Sequence, residues 1–142
     1  MRTAVKSFLH LFSLLVFVIL VIGCGKKATD TEEYLIKVDS IIHPDTVAAG
    51  KSFAVKFYGT IGSNGCYRFL RFETERSAGL TKVWTVGERK TGQNVMCPEY
   101  LPKLDGTVLN LMAPDTGSFT IAVINPGLGN VLNSTVMVRQ GN

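Results

Sequence analysis

Lys51-Ser52-Phe53-Ala54-Val55-Lys56-Phe57-Tyr58-Gly59 puts Phe53, Val55 and Phe57 on one face of an extended chain, with Ala54, Lys56 and Tyr58 opposite. Side chains of a strand alternate between faces, so bulky apolar residues at a period of two read as a half-buried strand. The same alternation recurs in Phe119, Ile121 and Val123, and again in Val136 and Val138. The pattern predicts strands near 34–43, 51–59, 66–74, 82–88, 107–113, 117–125 and 131–139. No ten-residue stretch carries a convincing helical stripe. Short strands between Gly, Pro, Asn and Asp punctuation predict an all-β domain, a single seven-stranded antiparallel sandwich.

The connections fit that reading. His43-Pro44-Asp45 through Gly50 turns the first strand into the second, and Gly59 through Gly65 leads into the third. Pro114-Asp115-Thr116-Gly117 reads as a tight turn, since Pro pre-sets φ and Gly accepts a positive one. Asn125-Pro126-Gly127-Leu128-Gly129-Asn130 reads as another. The longest connection, 89–106, carries Met96-Cys97-Pro98-Glu99-Tyr100-Leu101-Pro102.

The N-terminus has a different grammar. Arg2 and Lys6 precede an apolar run from Phe8 to Ile22, which ends at Val21-Ile22-Gly23-Cys24. Charged, apolar and small residues in that order are those of a secretory signal peptide. With a cysteine directly after Gly23, the segment resembles the bacterial lipobox, with Val21 where Leu is usual. That resemblance implies cleavage before Cys24 and a lipid, palmitate included, on the new terminus. Gly25 rather than Asp follows the cysteine, which implies the outer membrane in a cell that has one. An uncleaved anchor is the rival reading; the run of about 15 residues is short of the roughly 20 needed to span a bilayer. An ordinary cleaved signal is the third reading. The expected organisation is a signal peptide over 1–23, a lipidated tether over 24–33 and the sandwich over 34–142. Residues 25–33 lack large apolar groups, hence the tether.

Cleavage leaves 13 basic and 11 acidic side chains, with no Lys/Arg run longer than two, which argues against nucleic acid as a partner. With Cys24 assigned to lipid, Cys66 and Cys97 remain in an oxidising compartment, where they are expected to pair. Two cysteines and His43 are too few for a zinc site, and no metal or other cofactor is expected.

Pro44…Gly50…Phe53-x-Val55-x-Phe57 and Pro114-x-x-Gly117-x-Phe119-x-Ile121-x-Val123 resemble the opening and closing segments of bacterial extracellular immunoglobulin-like domains. A Gly-Cys step with a second cysteine about thirty residues on is similar to small envelope lipoproteins. The resemblance implies an immunoglobulin-like sandwich that binds, spaces or scaffolds. In that order the connections 60–65, 89–106 and 126–130 share one end, with the disulfide, while 44–50, 75–81 and 114–117 share the other.

Candidate chemistry is thin. Asp115-Thr116-Gly117-Ser118 matches the short signature of aspartic proteases, but Pro114 does not belong inside a paired central strand. Hydrolysis by a Ser-His or Cys-His set has only His43 after cleavage, read as a surface turn residue, and no Gly-x-Ser-x-Gly elbow exists. Nothing in the sequence places two carboxylates together for glycosidase chemistry. Trp84, with Val86, reads as core, with a sugar-stacking platform as the alternative. Asp45-Thr46-Val47 resembles a bacterial O-glycosylation acceptor, which makes Thr46 a candidate glycan site.

Met96, Tyr100 and Leu101 are the candidate contact residues, since the 89–106 connection sets several large apolar side chains beside a disulfide. Its alternative role is to fold back over the open core. The sequence thus predicts a non-enzymatic, lipid-anchored protein of the cell envelope, binding an envelope protein or a glycan. The alternative is an inhibitor or regulator of an envelope enzyme such as a protease. Against the papain-type inhibitors of immunoglobulin-like fold, Asn125-Pro126-Gly127 falls in the wrong loop and no Arg-Pro pair exists.

Overall fold

A computed structural model describes residues 30–115 and 117–140. These residues form nine strands and no helix: β1 (Thr31–Leu35), β2 (Ser40–Ile42), β3 (Thr46–Ala48), β4 (Ser52–Tyr58), β5 (Tyr67–Ser77), β6 (Leu80–Lys90), β7 (Thr107–Met112), β8 (Gly117–Ile124) and β9 (Val131–Arg139). The larger sheet runs β1-β6-β8-β9-β3 with β5 on the other edge of β6, and the smaller runs β2-β4-β7.

The two sheets share one core, and the alternation read from the sequence builds it. Phe53, Val55 and Phe57 of β4 and Leu111 of β7 meet Val83, Phe119, Ile121, Val123, Val136 and Val138 of the larger sheet. Phe53 meets Phe119 edge to face at 6.2 Å, and Phe57 lies 4.6 Å from Phe72. Burying a side chain of this size stabilises the fold by about 1.5–3 kcal/mol.

The strand count and directions differ from the expected seven antiparallel strands. The predicted 34–43 strand is two strands, because the chain crosses from the larger sheet to the smaller between them, with Ile36 and Val38 buried at the crossing. The three-residue β3, in what reads as a turn, pairs in parallel with β9. β6 also runs parallel to β8, through Leu80–Val83. In the immunoglobulin order the third strand, not the fourth, neighbours the sixth. Here a two-residue turn at Ala78-Gly79, with Gly79 at φ +70°, joins β5 to β6. So short a turn keeps both strands in one sheet and places the later one beside β8.

β6 outruns β8, and its far half, Val86–Lys90, pairs with β1. The first described strand therefore starts at Thr31, within the stretch expected to be tether. The backbone ladder and Tyr34, packed against the core, hold the strand there, with Glu32 and Glu33 paired to Arg89 and Arg71 on its surface. Trp84 stays out of the core: Thr81, Val83 and Thr85 take the inward positions of β6, leaving Trp84 half-buried on the outer face opposite Glu73.

The two ends are now defined. At one, Thr91 N–H donates to Asp30 O at 2.7 Å and Lys90 N–H to Cys66 O at 3.0 Å. At the other, Ala113 N–H donates to Lys51 O at 2.9 Å and Thr120 N–H to Gly79 O at 2.8 Å, bringing three connections together.

Candidate functional site

Cys66 and Cys97 are bonded, with Cα atoms 5.0 Å apart, at the end of the domain where β1 begins. The bond is one of several ties between the 59–66 segment and the long connection that follows β6. Gly65 N–H donates to Pro98 O and Ile61 N–H to Pro102 O, each at 2.8 Å. Leu104 N–H returns to Gly59 O at 2.8 Å, and Thr60 and Lys103 form an isolated bridge. Ahead of the cysteine, Asn64 Oδ1 accepts from Cys66 N–H at 3.0 Å. Gly65 lies against the Tyr100 ring, which an added Cβ would have to displace.

The two roles weighed for this connection divide along it. Leu104 is fully buried and Ile61 nearly so, closing the open end of the core. Met96, Tyr100 and Leu101 remain in solvent, at 93%, 56% and 60% exposure. A backbone tied this often presents those side chains with little freedom left to lose. The 126–130 turn, expected alongside, is carried on this side by Asn125, which the sequence presents only as a turn residue. Its Oδ1 accepts from Val38 N–H at 2.8 Å and its Nδ2 donates to Val38 O at 2.9 Å. The buried amide thus stands in for a strand, pairing the backbone at the crossing between sheets.

Beside the staple lies a cleft of about 210 Å³ lined by Glu32, Tyr34, Tyr67 and Arg89. The two rings meet edge to face at 5.5 Å, and the Arg89 guanidinium lies 5.8 Å from the Tyr67 centroid. Arg89 also donates to Glu32 at 2.5 Å and to the Tyr67 hydroxyl at 3.3 Å. Tyr34 lies against Gly87, where a Cβ would overlap its ring, and donates to Ile61 O at 2.6 Å. Burial, with Tyr67 adding to it, pushes the Tyr34 hydroxyl up to about 12. Aromatic faces flanked by a guanidinium and a carboxylate can stack a ring and hydrogen-bond its rim, the chemistry of a sugar or a polar peptide. The residue types were visible in the sequence; their convergence depends on the β1–β6 pairing.

A second groove, about 230 Å³, has Asp39, Asp105 and Lys103 on its walls. Glycoside hydrolysis needs one carboxyl kept protonated by its surroundings. Both aspartates are exposed and Lys37 lies 3.5 Å from Asp39, whereas that chemistry sets its acid in an apolar pocket. On the outer sheet face, Arg71 binds Glu33 and Glu73, and its hydrogen bond holds the Glu33 carboxyl below the usual range. Exposed pairs of this kind contribute little to stability.

His43 is half-buried, not a free surface residue. Its Nδ1 lies 3.0 Å from Pro44 O and its Nε2 2.6 Å from Ser134 Oγ. Ser134 lies within the β8–β9 ladder opposite Ile121, and the pair clips the turn after β2 to β9. Thr46 opens β3 instead of sitting in a turn, paired with Met137, and its side chain is exposed. Cys24 and most of the expected tether lie outside the described residues, as does Thr116 of the Asp115-Thr116-Gly117-Ser118 run.

No family model matches the chain, and no curated protein or solved structure matches it either.

Proposed function

We propose that this chain is a non-enzymatic lipoprotein of the bacterial cell envelope, anchored through lipid at Cys24 and presenting one β-sandwich that binds an envelope protein or glycan. The observation that carries the reading is the fate of the cysteines. Cys66 is bonded to Cys97, and the third, Cys24, stands directly behind the apolar run in a lipobox-like sequence. A disulfide of this kind suits an oxidising compartment. The domain is read as a derived immunoglobulin-like sandwich whose fourth strand has stayed beside its third. The outer membrane is the expected address in a cell that has one.

The Tyr34–Tyr67 cleft is the surface assigned to the partner, because Glu32 and Arg89 add orienting charge to its aromatic walls. Loops and rims on a rigid sheet are where recognition residues usually sit. The test is photocrosslinking in intact cells from a photoreactive residue at Glu32, compared with one at Leu128. A defined adduct at Glu32 alone supports the reading. An adduct with a hydrolase moves it to the regulator alternative, and adducts at Leu128 alone remove the cleft from it. Wild-type chain in the membrane fraction, with Cys24→Ala released from it, is the matching result for the anchor.

A further inference from the structure

The place where the chain enters the domain decides which end faces the membrane. Asp30 pairs with Thr91, and Lys90 with Cys66, so Asp30 and Cys66 sit on strands either side of β6. Adjacent strands are about 4.8 Å apart, which puts Asp30 about 10 Å from the staple. Cys24 is six residues before Asp30, so the chain between them reaches at most about 20–22 Å. The Gly79 end lies ten residues along β6 from Lys90, about 33 Å further out.

We propose that the tip formed by Met96, Tyr100 and Leu101 rests in the headgroup layer of the membrane that holds the Cys24 lipid. The inference rests on the lipid-anchor reading and names the partner of these three residues as the bilayer itself. All three are exposed on a tied loop at the end where the lipid-bearing segment joins the domain, and tyrosine favours the membrane–water interface. Among the described residues of this end, Lys90 and Lys103 stand against Asp30, Glu99 and Asp105, and Arg68 and Arg89 are paired to Glu88 and Glu32, so the contact rests on the apolar side chains. Such a contact is weak alone and becomes persistent when a lipid holds the tip at the surface. The staple limits the ordering cost of docking. The domain then stands on its disulfide end, with the cleft near the surface and the Gly79 end outermost.

The test uses the full acylated chain reconstituted into vesicles of phosphatidylethanolamine and phosphatidylglycerol with brominated acyl chains, which quench nearby tryptophan. Trp84 is the single native tryptophan and reports the side of the sheet. A Met96→Trp, Trp84→Phe variant reports the tip; position 96 is almost fully exposed, so the fold tolerates the change. Interfacial segments sit about 5–10 Å into the headgroup boundary, so tip emission should fall about twofold or more while Trp84 emission holds. Flotation of the protein with quenching at 96 alone is the expected result. Flotation without quenching at 96 overturns the docking and leaves the anchor standing; quenching at both positions overturns the upright stance. Failure to float removes the anchor reading and the inference with it.

Discussion

The two ends of this sandwich solve the same problem by opposite means. At the Gly79 end the connections are short, and residues with fixed or permissive φ turn the chain: Pro44, Gly50 at φ +65°, Gly79 and Pro114. At the other end a connection from Thr91 to Gly106 has to be held by a disulfide, backbone hydrogen bonds and the buried Leu104. A long loop is entropically costly to order, so its retention in a tied form points to a use beyond closing the fold. The tied end also carries the aromatic cleft, with Met96, Tyr100 and Leu101 exposed near it.

The largest expected effect separates the ends directly. Replacing Cys66 and Cys97 with Ser should lower unfolding free energy by about 3–4 kcal/mol, from the chain-entropy cost of a crosslink spanning 31 residues. Denaturant titration gives the loss. Hydrogen exchange should rise in 91–103 and stay unchanged around Gly79; a uniform rise would mean that the ends are not independent.

Asn125→Ala should cost about 2–3 kcal/mol, because it strands the buried N–H and C=O of Val38. A loss below that of an ordinary surface change would show that the sheet crossing does not depend on this amide. Gly79→Ala, where the added Cβ meets only Ser118 O at 3.6 Å, should cost about 1 kcal/mol through its positive φ alone. Its effect should leave the tied end untouched by hydrogen exchange.

Tyr34 gives the comparison a pH signature. Its hydroxyl moves from 10.0 when unfolded to about 12 in the fold, so the folded state holds the proton more tightly. The associated stability is fully present below pH 10 and is lost as pH rises from 10 to 12. Tyr34→Phe should flatten that part of the stability–pH curve, and an unchanged slope would detach Tyr34 from it. Smallest of all, Leu101→Ser should shift stability by less than about 0.5 kcal/mol, since its side chain is mostly in solvent, and Tyr100→Ser by little more, through its contact with Gly65. A larger loss would make the tip part of the fold.

What the sequence disclosed follows from which interactions are local. Phe53-Val55-Phe57 and Phe119-Ile121-Val123 announce their buried faces through alternation alone, and all six are in the core. The cysteine pairing follows from counting once Cys24 is set aside. Pairing of β6 with β8 in parallel is a choice between distant segments and leaves no periodic trace, and β3 is too short to show one. Trp84 was misplaced because β6 is buried on both sides of Val86, where Gly87 and Glu88 are covered as well, so hydrophobicity there does not mark the inward face. Asn125 looked like turn chemistry because Asn-Pro-Gly is a turn sequence, and its bond to Val38 spans 87 residues. The cleft at Tyr34 and Tyr67 depends on the same non-local pairing of β1 with β6.

Intact mass spectrometry of the mature chain purified from cell membranes tests the central claim most directly. The account predicts a chain beginning at Cys24, heavier than its peptide by acyl and glyceryl groups on that residue, and with Cys66 and Cys97 bonded. A terminus at any other residue, or a Cys24 terminus without added lipid mass, would contradict it.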